Sequence, residues 1–165
     1  MVETGSHTKQ SVLEILSRIK DPEIPVLSIQ EMGMLYDVKL SGDLCEVFIM
    51  PTYSGCPAMG IIEEDIYTLL KQEGFSNIKV TLVYSPTWTT DLMSESSKEK
   101  LRAYGIAAPV HSSCTNWLKP NDIEVLCPKC NSKHTELISR FGSTACKALY
   151  SCKNCSEPFE YFKCH

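Results

Sequence analysis

Two cysteine pairs, Cys127-Pro-Lys-Cys130 and Cys152-Lys-Asn-Cys155, stand 21 residues apart and constrain this 165-residue chain more than any other feature. A C-x-x-C turn lets two sulfurs converge on one ion, and two such turns complete a tetrahedral four-thiolate shell that suits zinc. The gap has room for a strand, a turn and a return strand. TELISRFG, KALYS and EPFEYFK are the β-rich stretches that would form them and a third strand. Residues 123–165 hold too few apolar side chains to stabilise a fold alone, so the ion would supply folding energy. The expectation is a β-rich zinc ribbon over 123–165, with structural zinc on Cys127, Cys130, Cys152 and Cys155. A redox iron in the same four sulfurs is the alternative.

The chain has nine cysteines, an odd number that cannot all pair as disulfides, and metal or thiol chemistry is the better reading. Cys146 precedes Cys152 by six residues, about 20 Å along a straight strand, too far to share its ion. It reads as a small buried residue or as a free thiol facing a partner or a second site. Cys164 and His165 read as a frayed tail, with metal binding as the alternative. Cys45 alternates with strand residues as a core position would, and neither it nor Cys114 belongs to a motif. No apolar run approaches the length of a membrane span, and the N-terminal MVETGSHTKQ lacks the apolar centre of a secretory signal. The expected compartment is the cytoplasm. Residues 1–105 carry 9 basic and 15 acidic side chains, whereas 123–165 carry 6 and 4. Neither part is a basic stripe, which argues against nucleic-acid binding by bulk electrostatics.

The first half alternates between helical and strand periods. Val12, Ile15, Leu16 and Ile19 recur at helical spacing, and Ser11 with Glu14 fits a capping box, predicting a helix to about Lys20. DPEIP, with Pro22 and Pro25, predicts an extended, rigid entry into the next element. Residues 34–40 and 44–50 flank SGD as a β-hairpin. After PTYSGC a helix starts at Pro57 and ends at Gly74, NIKVTLVYS is a third strand, and a charged helix runs from about Ser94 to Tyr104. The fold class is therefore α+β: a small α-β-β-α-β-α open-sheet domain over 1–105, a linker over 106–122 with Trp117 packing locally, and the ribbon.

Cys56 falls at the foot of the second helix, where unpaired N–H groups and the helix dipole favour negative charge and lower a thiol's pKa. Thr52, Tyr53 and Ser54 add hydroxyls on the same loop, and Asp21 and Glu23 could present carboxylates at the same sheet edge. The bland alternative is a weakly bonded helix cap, with Asp21 capping a turn. A thiol enzyme would need a base near Cys56. His7 falls in an N-terminal tail, and His111, His134 and His165 lie beyond the first domain.

DPEIPVLSI, PTYSGCPA and PTWTTDLMS resemble the MIP18-like (DUF59) domain, whose members are tied to iron–sulfur cluster assembly. Joined to CPKC, RFGSTACKALYSC and CSEPFEYFK, they resemble over nearly the whole chain the D-subunit family, also called J, of the bacterial phenylacetyl-CoA epoxidase, or phenylacetate-CoA oxygenase. The resemblance implies a non-catalytic accessory subunit that assists maturation of an iron or iron–sulfur cofactor in phenylacetate catabolism. It implies a transient iron or cluster site at Cys56, with Asp21 and Glu23 from the acidic motif, Thr52 from the hydroxyl loop, and Cys146 from FGSTACK. The implied partners are the oxygenase and reductase components and iron–sulfur assembly proteins. With four sulfurs committed to the ribbon, Cys56 and Cys146 are too few to hold a cluster, which calls for a homodimer or a partner's ligands. The alternative is a zinc-ribbon interaction scaffold for assembly of the oxygenase, without metal transfer.

Overall fold

The computed structural model describes residues 7–109 and 124–163; Cys114, Cys164, His111, His165 and Trp117 lie outside them. The chain divides into two compact units, Met1–Thr87 and Trp88–His165.

The first unit begins with α1 (Lys9–Leu16), which buries Val12, Ile15 and Leu16. Its N-cap is Thr8, whose hydroxyl accepts the Ser11 N–H at 3.1 Å while Ser11 Oγ accepts the Thr8 N–H at 3.0 Å. The capping box is therefore Thr8 with Ser11, one turn earlier than the Ser11–Glu14 pairing expected from sequence. The helix also stops at Leu16 rather than near Lys20, because the following residues pair elsewhere. Ile19 O accepts the Ile29 N–H, and Lys20 bridges Ser28.

DPEIP is likewise a closed turn and not an extended entry. Asp21 Oδ1 accepts the N–H groups of Glu23 and Ile24, both at 2.8 Å, and wraps the chain around its own carboxylate. Ile24, Leu27 and Ile29 are fully buried beneath this turn.

β1 (Leu35–Ser41) and β2 (Leu44–Ile49) form the expected hairpin, with Gly42 at φ 57° in the connection. α2 (Ala58–Gln72) then crosses to β3 (Asn77–Leu82), which pairs parallel to β2 and completes a sheet of order β1-β2-β3. Met59, Ile62, Ile66 and Leu70 of α2 recur at helical spacing and are buried; α2 packs against α1 and β3, and α1 also against β1. Gly74 ends α2 at φ 96°. The foot of this crossover, Pro51 to Pro57, is where β2 hands the chain to α2.

The second unit starts with Trp88, 1% exposed, its ring edge-on to Phe162 at 5.9 Å. A short 3-10 turn (Thr90–Leu92) leads to α3 (Glu95–Ala103), capped by Ser94 and closed at Gly105. β4 (Ile106–Ala107) follows and pairs parallel to β7 (Pro158–Phe162); β6 (Lys147–Cys152) and β5 (Thr135–Ser139) complete the order β4-β7-β6-β5. The division between units thus falls before α3 and differs from a boundary at residue 105. Residues 106–107, read from sequence as the start of a linker, are a strand of the ribbon's own sheet. On one face of that sheet Ala107, Val125, Ala148, Tyr150, Phe159 and Tyr161 pack into a small core together with Cys127 and Cys152.

Candidate metal centre and thiol site

The ribbon's two cysteine turns are built alike. In each, the residue following the second cysteine adopts positive φ, Asn131 at 58° and Ser156 at 61°. Its N–H returns to the carbonyl of the first cysteine: Asn131 to Cys127 at 2.9 Å, Ser156 to Cys152 at 3.0 Å. The first cysteine's N–H in turn reaches the carbonyl one residue further on, Cys127 to Ser132 at 3.0 Å and Cys152 to Glu157 at 2.9 Å. β5 and β6 bring the two turns to the same end of the sheet, and Lys129 with Glu157 joins them at 2.6 Å.

All four sulfurs lie within 4.8 Å of one another, with Cys127 to Cys155 at 3.7 Å and Cys130 to Cys152 at 3.5 Å. Around zinc, four sulfurs each about 2.3 Å from the ion would sit about 3.8 Å apart. The spacing therefore fits the ion and is far too long for disulfides. Backbone N–H groups of Cys155 and Asn154 help hold Cys152 down to about 6. The Ser132 N–H lowers Cys130, but desolvation and hydrogen bonds from the other three sulfurs outweigh it and push Cys130 up to about 12. Four thiols crowded into one small space are a set whose protons a divalent cation would replace. Cys146 is not part of the group. It is 3% exposed at the start of β6, its sulfur 3.0 Å from Thr144 Oγ1, and its carbonyl accepts the Lys163 N–H.

In the first unit Cys56 is partly buried just ahead of α2. The Ala58 N–H and the Thr52 hydroxyl act to lower its thiol's pKa, and the carboxylates of Glu23 and Asp21 act to raise it. Asp21 and Thr52 are 5% and 4% exposed. Asp21 and Glu23 from one stretch of sequence and Thr52 and Cys56 from another thus share one neighbourhood, whereas Cys146 belongs to the second unit. The expected direction of the thiol's pKa is reversed. Desolvation by burial dominates, Glu23 and Asp21 add to it, and the Ala58 and Thr52 hydrogen bonds do not compensate, so the thiol is pushed above its ordinary range. The N–H groups at the helix foot are visible in the sequence, whereas the burial that outweighs them is not. The Ala58 N–H as donor could have been found there, because Cys56 lies two residues upstream of the first helical residue.

A helical and β crossover unit bearing a thiol and a carboxylate turn, followed by a four-thiolate ribbon, defines a two-part class. Residues 9–82 match the family described as iron-sulfur cluster assembly protein, and residues 112–163 match the PaaD zinc beta ribbon domain. The chain is 50% identical over 150 residues to the putative D subunit of the 1,2-phenylacetyl-CoA epoxidase of Escherichia coli (strain K12), a match covering 91% of this chain and 89% of the relative. It belongs to that D-subunit family. The Fe-S protein maturation auxiliary factor YitW of Bacillus subtilis (strain 168) is 32% identical over 92 residues, 54% of this chain and 89% of its own. A solved DUF59 domain from Bacillus anthracis superposes with a TM-score of 0.53 at 27% identity, covering 56% of this chain and 90% of that one. No helix among the described residues is long and apolar enough to cross a membrane.

Proposed function

We propose that the chain is an accessory subunit that assists maturation of an iron or iron–sulfur cofactor of a phenylacetyl-CoA epoxidase. In this reading Cys56 is the transient ligand for the cargo, and zinc in the ribbon is structural. The observation that carries it is the environment of Cys56: a partly buried thiol at the foot of α2 that shares its neighbourhood with the Glu23 and Asp21 carboxylates and the buried Thr52 hydroxyl. Such a thiol exchanges its proton for a cation. The sulfur–metal bond would form as the thiol proton passes to solvent water, the carboxylates would offset the cation's charge, and the sulfur would take a proton back from solvent as the cargo departs. Relatives named as an epoxidase subunit and as Fe-S maturation factors support the same role. The partners would be the oxygenase and reductase components and iron–sulfur assembly proteins. Anaerobic reconstitution with ferrous iron and sulfide tests it. Wild-type chain is expected to acquire cluster absorbance that Cys56→Ser abolishes, and equal uptake by both would remove Cys56 from the mechanism.

One observation favours a second reading. Among the described residues only the ribbon's cysteines bring three or more ligand atoms together. Either a second copy or a partner completes the site at Cys56, or the chain is an interaction scaffold that moves no metal. In the scaffold reading Cys56→Ser leaves epoxidase activity in cells intact, while removal of zinc abolishes binding to the other subunits.

A further inference from the structure

Gly60, in the first turn of α2, has no internal reason to be glycine. Seven glycines are described. Gly33, Gly42, Gly55, Gly74 and Gly105 adopt φ between 57° and 96°, which side chains rarely accept. Gly142 has no room, since an added Cβ would lie 2.6 Å from Glu160 Oε1. Gly60 is helical, and an added Cβ there would meet nothing within 4 Å. Glycine within a helix is less favourable than alanine because it loses more backbone freedom. The chain bears that loss with no return from its own packing.

Gly60 also lies on a particular strip. Pro57, Gly60, Ile61 and Glu64 follow the i, i+3, i+4, i+7 spacing of one helix face, all are exposed, and the strip starts at the residue after Cys56. Ile61 leaves 53% of its surface open. Glu64 ends the strip, half-buried Glu63 and exposed Asp65 flank it on either side, and none of the three takes part in an ion pair among the described residues.

We infer that this face of α2 is the docking strip for a client polypeptide bearing basic side chains, whose backbone lies against Gly60 and whose lysines or arginines meet Glu63, Glu64 and Asp65. Removal of a Cβ is what permits close approach by another backbone. The acidic rim repels nucleic-acid phosphates and anionic lipid, which leaves a cationic protein segment as the matching occupant. The inference rests on Cys56 as the delivery thiol, since the strip would place a client beside it.

The test uses the full chain and the other purified subunits of a 1,2-phenylacetyl-CoA epoxidase as probes, titrated at low and high salt. Gly60→Ala should raise the chain's Tm, because the position is open and helical. Gly60→Gln should fold as well as wild type yet bind the subunits at least tenfold more weakly. Glu64→Lys should weaken binding by a similar factor at low salt, and Asp43→Asn, at another exposed acid, in the β1–β2 turn, should not. Anaerobic iron and sulfide uptake by isolated Gly60→Gln should match wild type. Three results would each overturn the inference: undiminished binding by Gly60→Gln, no binding of any subunit by wild type, or loss of uptake in Gly60→Gln, which would assign the space to the cargo. Failure of the underlying reading shows separately, as unchanged uptake in Cys56→Ser.

Discussion

At Cys56 the decisive quantity is the balance between burial with two carboxylates and two hydrogen-bond donors, and burial wins. A raised pKa leaves less thiolate at neutral pH than an ordinary cysteine has. Alkylation of Cys56 by iodoacetamide at pH 7.5 should therefore be slower than that of a free cysteine and should climb as pH rises through the upper thiol range. Glu23→Gln removes a negative charge, lowers the pKa and should speed the reaction near neutral pH. A mass-spectrometric rate profile checks both; a rate at pH 7.5 above that of free cysteine would reverse the sign. Tyr150 offers a second residue-scale test. Its hydroxyl is buried without a hydrogen-bond partner among the described residues. Such a group costs about 1–3 kcal/mol, so Tyr150→Phe should stabilise the second unit and raise its melting temperature by several degrees. A drop would mean that the hydroxyl has a partner. Nothing in the sequence around KALYS marks that orphan, because strand alternation says which face a residue takes and not what its polar tip meets.

Among elements, those set by short-range chemistry were the legible ones. Alternation in residues 44–50 and 77–82, Gly42 and Gly74 at positive φ, and the ribbon's three β-rich runs all lie where the sequence pattern puts them. What depends on distant pairing was not legible. β4 owes its existence to β7, more than fifty residues further on, where Ile106 pairs with Glu160, whereas the turn around Asp21 is local and the sequence did offer Asp21 as a turn cap. Two strand residues flanked by Gly105 and Pro109 carry no periodicity to read. The consequence is that the ribbon's sheet draws on residues well upstream of its cysteines. Trp88→Ala should cost about 3–5 kcal/mol and lower the temperature at which the chain releases zinc, followed with a chromogenic chelator during a melt. Zinc release identical to wild type would mean that the segment from Trp88 to β4 contributes nothing to the ribbon.

For the whole molecule, the division of labour among sulfurs organises the account. Four converge in one unit at distances that suit zinc, one is buried in β2 at Cys45, one is buried at Cys146, and Cys56 sits beside the Glu23 and Asp21 carboxylates. The convergence of the four ribbon sulfurs could be read from spacing alone, since two C-x-x-C turns dictate their own geometry. The grouping of Asp21, Glu23, Thr52 and Cys56 could only be suggested, because it needs the β2–α2 crossover to bring separate loops together. The most direct measurement is metal content per chain after anaerobic purification and iron–sulfide reconstitution, comparing wild type, Cys56→Ser and Cys130→Ser by plasma mass spectrometry. The account predicts about one zinc per chain in wild type and Cys56→Ser, zinc lost in Cys130→Ser, and iron acquired by wild type but not by Cys56→Ser. Iron held equally by Cys56→Ser, or iron in place of zinc on the four ribbon sulfurs, would contradict it.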